Sequence, residues 1–174
     1  MEERFSSEVA FDGKLVRVRV DQVRTPSGRL ATREVVEHPG AVAILPVHDD
    51  GRIVLVRQFR YAVGRELLEV PAGTREPKEA HLQTAIRELH EEVGYAADSV
   101  ELLLRYFISP GWCNEELIVY RATGLRDIGA RPEQDENLSI VPISPDAAPA
   151  LIAAREIADA KTITAILAHL RDSG

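Results

Sequence analysis

EVPAGTREPKEAHLQTAIRELHEEVGY, residues 69–95, is the stretch whose reading decides the fold. Pro77 suits the first position of a helix, where its missing N–H leaves no bond unmade, and neither Gly nor Pro recurs before Gly94. The pattern predicts a helix over 77–93. Leu82, Ile86, Leu89 and Val93 recur at intervals of four, three and four, which gathers them on one face that must find a core. Glu88, Glu91 and Glu92 share a different face, where like charges cost roughly 0.2–0.5 kcal/mol per pair and call for compensation. Clustered carboxylates are hard oxygen donors of the kind that Mg²⁺ or Mn²⁺ takes beside phosphates. A solvated acidic helix face is the alternative that these glutamates allow by themselves.

The wider frame favours metal binding. Gly73 is followed after five residues by Glu79, after seven more by Arg87-Glu88-Leu89, then by Glu91-Glu92 and Gly94. This string closely resembles the Nudix box of the Nudix hydrolases, with Tyr95 where that family usually has an aliphatic residue. The resemblance implies an α+β fold, the Nudix α/β/α sandwich with a mixed sheet. It also implies that Glu88, Glu91 and Glu92 ligate Mg²⁺, or Mn²⁺ or another divalent ion in its place, together with the backbone carbonyl of Ala72. Arg87 is then the residue that orients a glutamate. Gly73 reads as a tight turn bringing backbone close to the site. Glu79, in the first helical turn, reads as mainly structural.

A chain of 174 residues with 45% hydrophobic composition suits one well-filled catalytic domain. No uninterrupted apolar run approaches the roughly 18 residues of a membrane span, and MEERFSSEVA lacks the apolar core of a signal peptide, so a cytoplasmic setting is expected. Cys113 is the only cysteine: it cannot close an internal disulfide, no cysteine–histidine spacing suggests zinc, and a catalytic thiol is disfavoured. The net charge of −7 argues against nucleic acid as a partner. A small anionic substrate is compatible with it, because bound cations and a few arginines set the potential inside a cleft.

Upstream of the box, Leu15, Val16, Val18 and Val20 alternate with Arg17 and Arg19 as in a half-buried strand, with a hairpin turn at Asp12-Gly13. Pro26-Ser27-Gly28 marks a second turn before a strand over 30–37. Together they predict a small N-terminal antiparallel sheet, residues 1–38, ahead of a catalytic domain over 39–174. AVAILPV, 41–47, reads as a strand covered on both faces, and RIVLVRQFRY, 52–61, as an alternating one. RQFR followed by ELLEVPAG resembles the ADP-ribose pyrophosphatase branch of the family. That resemblance implies an N-terminal arm that dimerises, hydrolysis of ADP-ribose to AMP and ribose 5-phosphate, and a diphosphate contact from Arg60. Arg57 and Arg33 are further substrate-side candidates, each with a plain surface charge as its alternative, and Glu69 is a weaker substrate or metal candidate.

Downstream, 100–108 and 117–120 read as strands, and Ser109-Pro110-Gly111 resembles the proline feature of the same branch, which brings in Gly111. Glu115 and Glu116 lie near enough in sequence for one of them to reach the cleft. Trp112 reads as packing, with ring stacking the alternative. The polar stretch RPEQDEN, 131–137, resembles the branch's acidic loop, whose glutamate corresponds first to Glu136 and second to Glu133. Glu136 is thus the leading candidate for the base, with Glu115 and Glu116 as alternatives. A helix start at Ser144-Pro145-Asp146 and an amphipathic helix over 159–171 follow, the latter through Ile163, Ile166, Leu167 and Leu170. The histidines are scattered without a nucleophile, so no triad is supported. Two rival readings stand: a Nudix pyrophosphatase for another nucleotide sugar, dinucleoside polyphosphate or nucleoside triphosphate, and a noncatalytic ADP-ribose sensor.

Overall fold

The computed structural model describes residues 1–76, 78–130 and 138–173. Two compact units emerge, one of Met1–Gly40 with Tyr106–Glu116, the other of Ala41–Arg105 with Leu117–Gly174. In the first, β1 (Glu3–Asp12), β2 (Arg17–Arg24) and β3 (Leu30–Glu37) form an antiparallel sheet in that order. Gly28, at φ 81°, makes the turn that Pro26 and Ser27 announce. Val36 also takes part in a parallel bridge with Cys113: its N–H donates to Trp112 O at 2.8 Å and its carbonyl accepts from Asn114 N at 3.1 Å. The segment around Cys113 is therefore an integral part of this unit.

The second unit begins with β4 (Ala41–Pro46), β5 (Ile53–Arg60), β6 (Arg65–Glu69), β7 (Ala72–Thr74) and helix α1 (His81–Val93). It continues through β8 (Tyr95–Phe107) and β9 (Glu116–Asp127), whose outer ends reach the first unit's segment, then β10 (Ser139–Ile143), α2 (Ala148–Ala153) and α3 (Ala160–Ser173). One sheet runs β7-β4-β9-β8 and is mixed, since β4 pairs parallel with β9 and antiparallel with β7. The other, β10-β5-β6, is antiparallel. Val42 and Ile44 of β4 pack with Val54, Val56 and Ala122 against Ala85, Leu89 and Val93 of α1. Ala43 and Leu45, on the opposite face of β4, are equally buried, as the unbroken apolar run requires. Among the described residues no helix is long and apolar enough to cross a membrane.

Several expectations need correction. The helix starts at His81, because Lys78 adopts φ 71°, outside the helical region; Glu79 thus precedes the N-cap Ala80. Leu82 and Ile86 are 41% and 46% exposed, so the buried face is Thr84, Ala85, Glu88, Leu89, Glu92 and Val93. Two of the glutamates therefore face inward. The strand over 117–120 is the first part of the longer β9, and the strand expected over 100–108 is the latter part of β8, which ends at Phe107 and follows α1 directly. In α3 the buried stripe is Thr162, Ala165, Ile166 and His169, while Leu167 is exposed. Trp112 is 56% exposed, so the packing expected of it is not made within this chain among the described residues.

Candidate active site

Gly73 and Glu88 set the geometry of the site. Gly73 lies in β7 opposite Val42 with no positive φ, so the turn expected there is absent. What demands glycine is proximity, for a Cβ at this position would lie 1.7 Å from Glu88 Oε1. The Glu88 carboxylate occupies the space that any other residue would fill. At the far end of α1, Gly94 closes the helix in the left-handed region at φ 70°, its N–H donating to His90 O.

Arg87 gathers the acids. Its Nε donates to Glu79 Oε1 at 3.1 Å, and its Nη1 reaches Glu88 Oε1 at 2.9 Å and Glu91 Oε2 at 2.8 Å. Burial works to lower the Arg87 pKa, but the bonds from Glu79 and Glu91 and the charge of Glu88 outweigh it and raise it. Glu79 is held below the ordinary carboxylate range, chiefly by Arg87, with the Thr84 hydroxyl donating at 2.9 Å. This gives Glu79 the structural role expected of it, from ahead of the helix and not within its first turn. Glu92 Oε2 accepts the Ala72 N–H at 3.2 Å, tying the helix to β7 at the residue whose carbonyl the sequence singled out.

A second cluster sits at the end of β6, three residues before Ala72. Glu69, 1% exposed, receives Arg60 Nε at 2.9 Å on Oε1 and Arg60 Nη2 at 2.7 Å on Oε2, and Lys161 Nζ also donates to Oε2. Burial pushes the Glu69 pKa up, but Arg60 and Lys161 together bring it below the ordinary range. Arg60 is raised by Glu69 first, against burial, with Glu92 and Asp159 contributing through their charge.

The other candidates are placed elsewhere. Arg57, three residues from Arg60 and so on the opposite strand face, is paired with Glu156 at 3.0 Å. Arg33, Gly111 and Glu115 belong to the first unit. There Arg33 pairs with Glu2 at 2.5 Å, and Glu115 Oε1 lies 3.7 Å from His38 Nδ1. Arg33, Gly111 and the exposed Trp112 line a cavity of about 460 Å³ within that unit. Glu116 opens β9. Cys113 is buried, its sulfur accepting the Glu115 N–H at 3.4 Å. Glu133 and Glu136 lie outside the described residues. Sequence reading missed Lys161, Asp159 and Thr162, whose only local signal is an aspartate ahead of a helix.

The donor set suits a divalent cation in its chemistry. Glu88 and Glu92 are carboxylates turned to the core face of a helix, 7% and 4% exposed, and Glu91 is partly exposed beside them. Arg87 spreads one positive charge over Glu79, Glu88 and Glu91, so these four residues keep excess negative charge that a hard cation would balance. Among the described residues no three acidic, histidine or cysteine side chains are closed around one point, since Arg87 stands between Glu88 and Glu91.

The site is thus an inward-facing acidic helix on a mixed sheet, with arginines beside it, and its chemistry would suit a cation and an anionic substrate together. Residues 37–165 match the NUDIX domain, and residues 2–36 match the nucleoside diphosphate sugar hydrolase N-terminal domain. The chain belongs to the Nudix family. It is 38% identical over 167 residues to the ADP-ribose pyrophosphatase of Bacillus subtilis (strain 168), covering 95% of this chain and 90% of that protein. It is 48% identical over 133 residues to the ADP-ribose pyrophosphatase of Mycobacterium tuberculosis, covering 75% of this chain and 63% of that one. The fold is similar to a crystal structure of an ADP compounds hydrolase, at TM-score 0.87 and 21% identity over 99% of this chain and 93% of the other.

Proposed function

We propose that this protein hydrolyses the diphosphate linkage of ADP-ribose, releasing AMP and ribose 5-phosphate, with Mg²⁺ as cofactor and Mn²⁺ or another divalent ion as substitute. The observation that carries the proposal is the approach of Glu88 to Gly73, which turns the acidic side of α1 onto β7. The relatives named ADP-ribose pyrophosphatase support the substrate class. Glu88, Glu91 and Glu92 would hold the ion with the Ala72 carbonyl. Such an ion shields diphosphate charge and lowers the pKa of an attacking water.

Arg87, itself fixed by Glu79, orients Glu88 and Glu91. Arg60, still 40% exposed after engaging Glu69, keeps an edge of its planar fork for diphosphate oxygens. Arg57 is left to Glu156. Glu136 is the first candidate to accept the proton, Glu133 the second, with Glu115 and Glu116 as alternatives. Arg33 and Gly111 are proposed for the nucleoside end of the substrate, from an N-terminal arm, residues 1–38, that dimerises. A cytoplasmic setting belongs to the same proposal.

The test is a substrate panel with product identification under Mg²⁺ and Mn²⁺, run on wild type and Glu92→Gln. ADP-ribose is expected to give AMP and ribose 5-phosphate at the highest kcat/KM. The near-isosteric variant should stay folded while losing more than the roughly 10–100-fold typical of residues that only support a metal ligand. A folded Glu92→Gln enzyme with wild-type turnover would refute the ligand set, and preference for a nucleotide sugar or triphosphate would refute the substrate.

A further inference from the structure

Lys161 stands at the first turn of α3, 92 residues from Glu69 in sequence, and its ammonium contacts two carboxylates. One is Glu69; the other is Asp159, whose Oδ1 accepts from Nζ at 2.9 Å and from the Thr162 N–H at 3.0 Å. Thr162, fully buried, accepts the Val70 N–H on its hydroxyl at 2.9 Å. Consecutive residues of α3 thus grip consecutive residues at the end of β6, Lys161 by the Glu69 side chain and Thr162 by the Val70 backbone. At 15% exposure and with acids on two sides, the ammonium is spent inside the protein and is a poor candidate for touching a substrate itself.

We infer that Lys161 is a positioning residue which, by fixing the Glu69 carboxylate, fixes the guanidinium of Arg60 for a substrate diphosphate; this rests on the ADP-ribose reading above. Arg60 occupies both Glu69 oxygens. A carboxylate held by one guanidinium alone can rotate about its last torsion and carry its partner with it, whereas a second cation on Oε2 pins the plane. Charge acts in the same direction. Arg60 and Lys161 balance Glu69 and Asp159, and without the ammonium the three remaining groups carry a net negative charge just where a diphosphate must approach.

The experiment measures KM and kcat for ADP-ribose, with AMP as the product followed, and Tm, for Lys161→Met, Lys161→Arg, Arg60→Met and the Arg60→Met/Lys161→Met pair. Lys161→Met should raise KM about tenfold while kcat moves less than about threefold, because the contact it supports is made with ground state and transition state alike. Lys161→Arg, which keeps charge and donors, should return KM to within about twofold. In the Arg60→Met background the same lysine change should add little, since residues acting through one another are not additive. A Lys161→Met protein with lower Tm and unchanged KM overturns the inference in favour of a purely structural lysine, as does full additivity in the pair. If Lys161→Met does not fold, Lys161→Gln is judged by the same KM criterion. If Arg60→Met itself leaves KM unchanged, Arg60 makes no diphosphate contact and the inference is overturned with it; if wild type releases no AMP, the failure lies with the proposed function.

Discussion

At Gly73 the Cβ of an alanine would fall 1.7 Å from Glu88 Oε1 and 2.2 Å from its carboxyl carbon. The obstacle is the end of a flexible side chain, so the fold can absorb a methyl group at a cost of about 1–3 kcal/mol by swinging Glu88 away. Function cannot absorb it in the same way, because the carboxylate then leaves β7, and displacements of about 1 Å at a reacting centre cost on the order of a hundredfold. Gly73→Ala should therefore unfold cooperatively at modestly lower urea and turn over ADP-ribose at least about a hundredfold more slowly. Wild-type turnover in a folded Gly73→Ala protein would refute this account of the glycine. The close approach at Gly73 was legible from the box spacing. Its cause was not, because the crowding comes from a side chain on a later element and leaves no mark on the local backbone pattern.

Helix α3 carries a titratable group on its buried stripe. Burial, assisted by the charge of Arg121 and opposed by Asp172, holds the His169 imidazole below its ordinary range. The unfolded chain, with a histidine pKa of about 6.5, takes up this proton more readily than the folded one. The contribution of His169 is therefore complete above roughly pH 6.5 and is lost as pH falls through that value toward the lowered folded pKa. Thermal denaturation from pH 7.5 down to 5.5 should show a falling Tm, and His169→Gln should flatten part of that slope; an unchanged slope would remove His169 as its source.

At this scale β3 and the start of β4 fall where turn residues and alternation put them. The start of α1 was misread because Lys78 adopts a left-handed conformation that no composition rule assigns to lysine. The buried stripe of α1 was misread because Leu82 and Ile86 outrank glutamates in any hydrophobic pattern, yet the tertiary structure turns Glu88 and Glu92 inward. The link from α3 to Glu69 spans 92 residues, a separation at which periodicity carries no information.

In the whole chain, the first unit leaves large apolar side chains uncovered: Phe5 is 68% exposed, Phe11 56%, Leu15 55% and Leu30 57%. Large apolar side chains left exposed in one small unit are the kind of surface that a partner covers, and a second copy of the chain is the partner the proposed arm calls for. Sedimentation of the wild type should give a particle of two chains, and Phe5→Asp with Phe11→Asp should shift it to one. A wild-type monomer at micromolar concentration would dispose of the dimer. The first unit is also discontinuous along the chain, since the backbone of Val36 is bonded to residues 112 and 114. It follows that the arm is not a self-contained cassette for exchange between relatives. A chimera cut near residue 38 would inherit a donor sheet whose last rung belongs to the recipient, so a graft should carry residues 106–116 along with the arm.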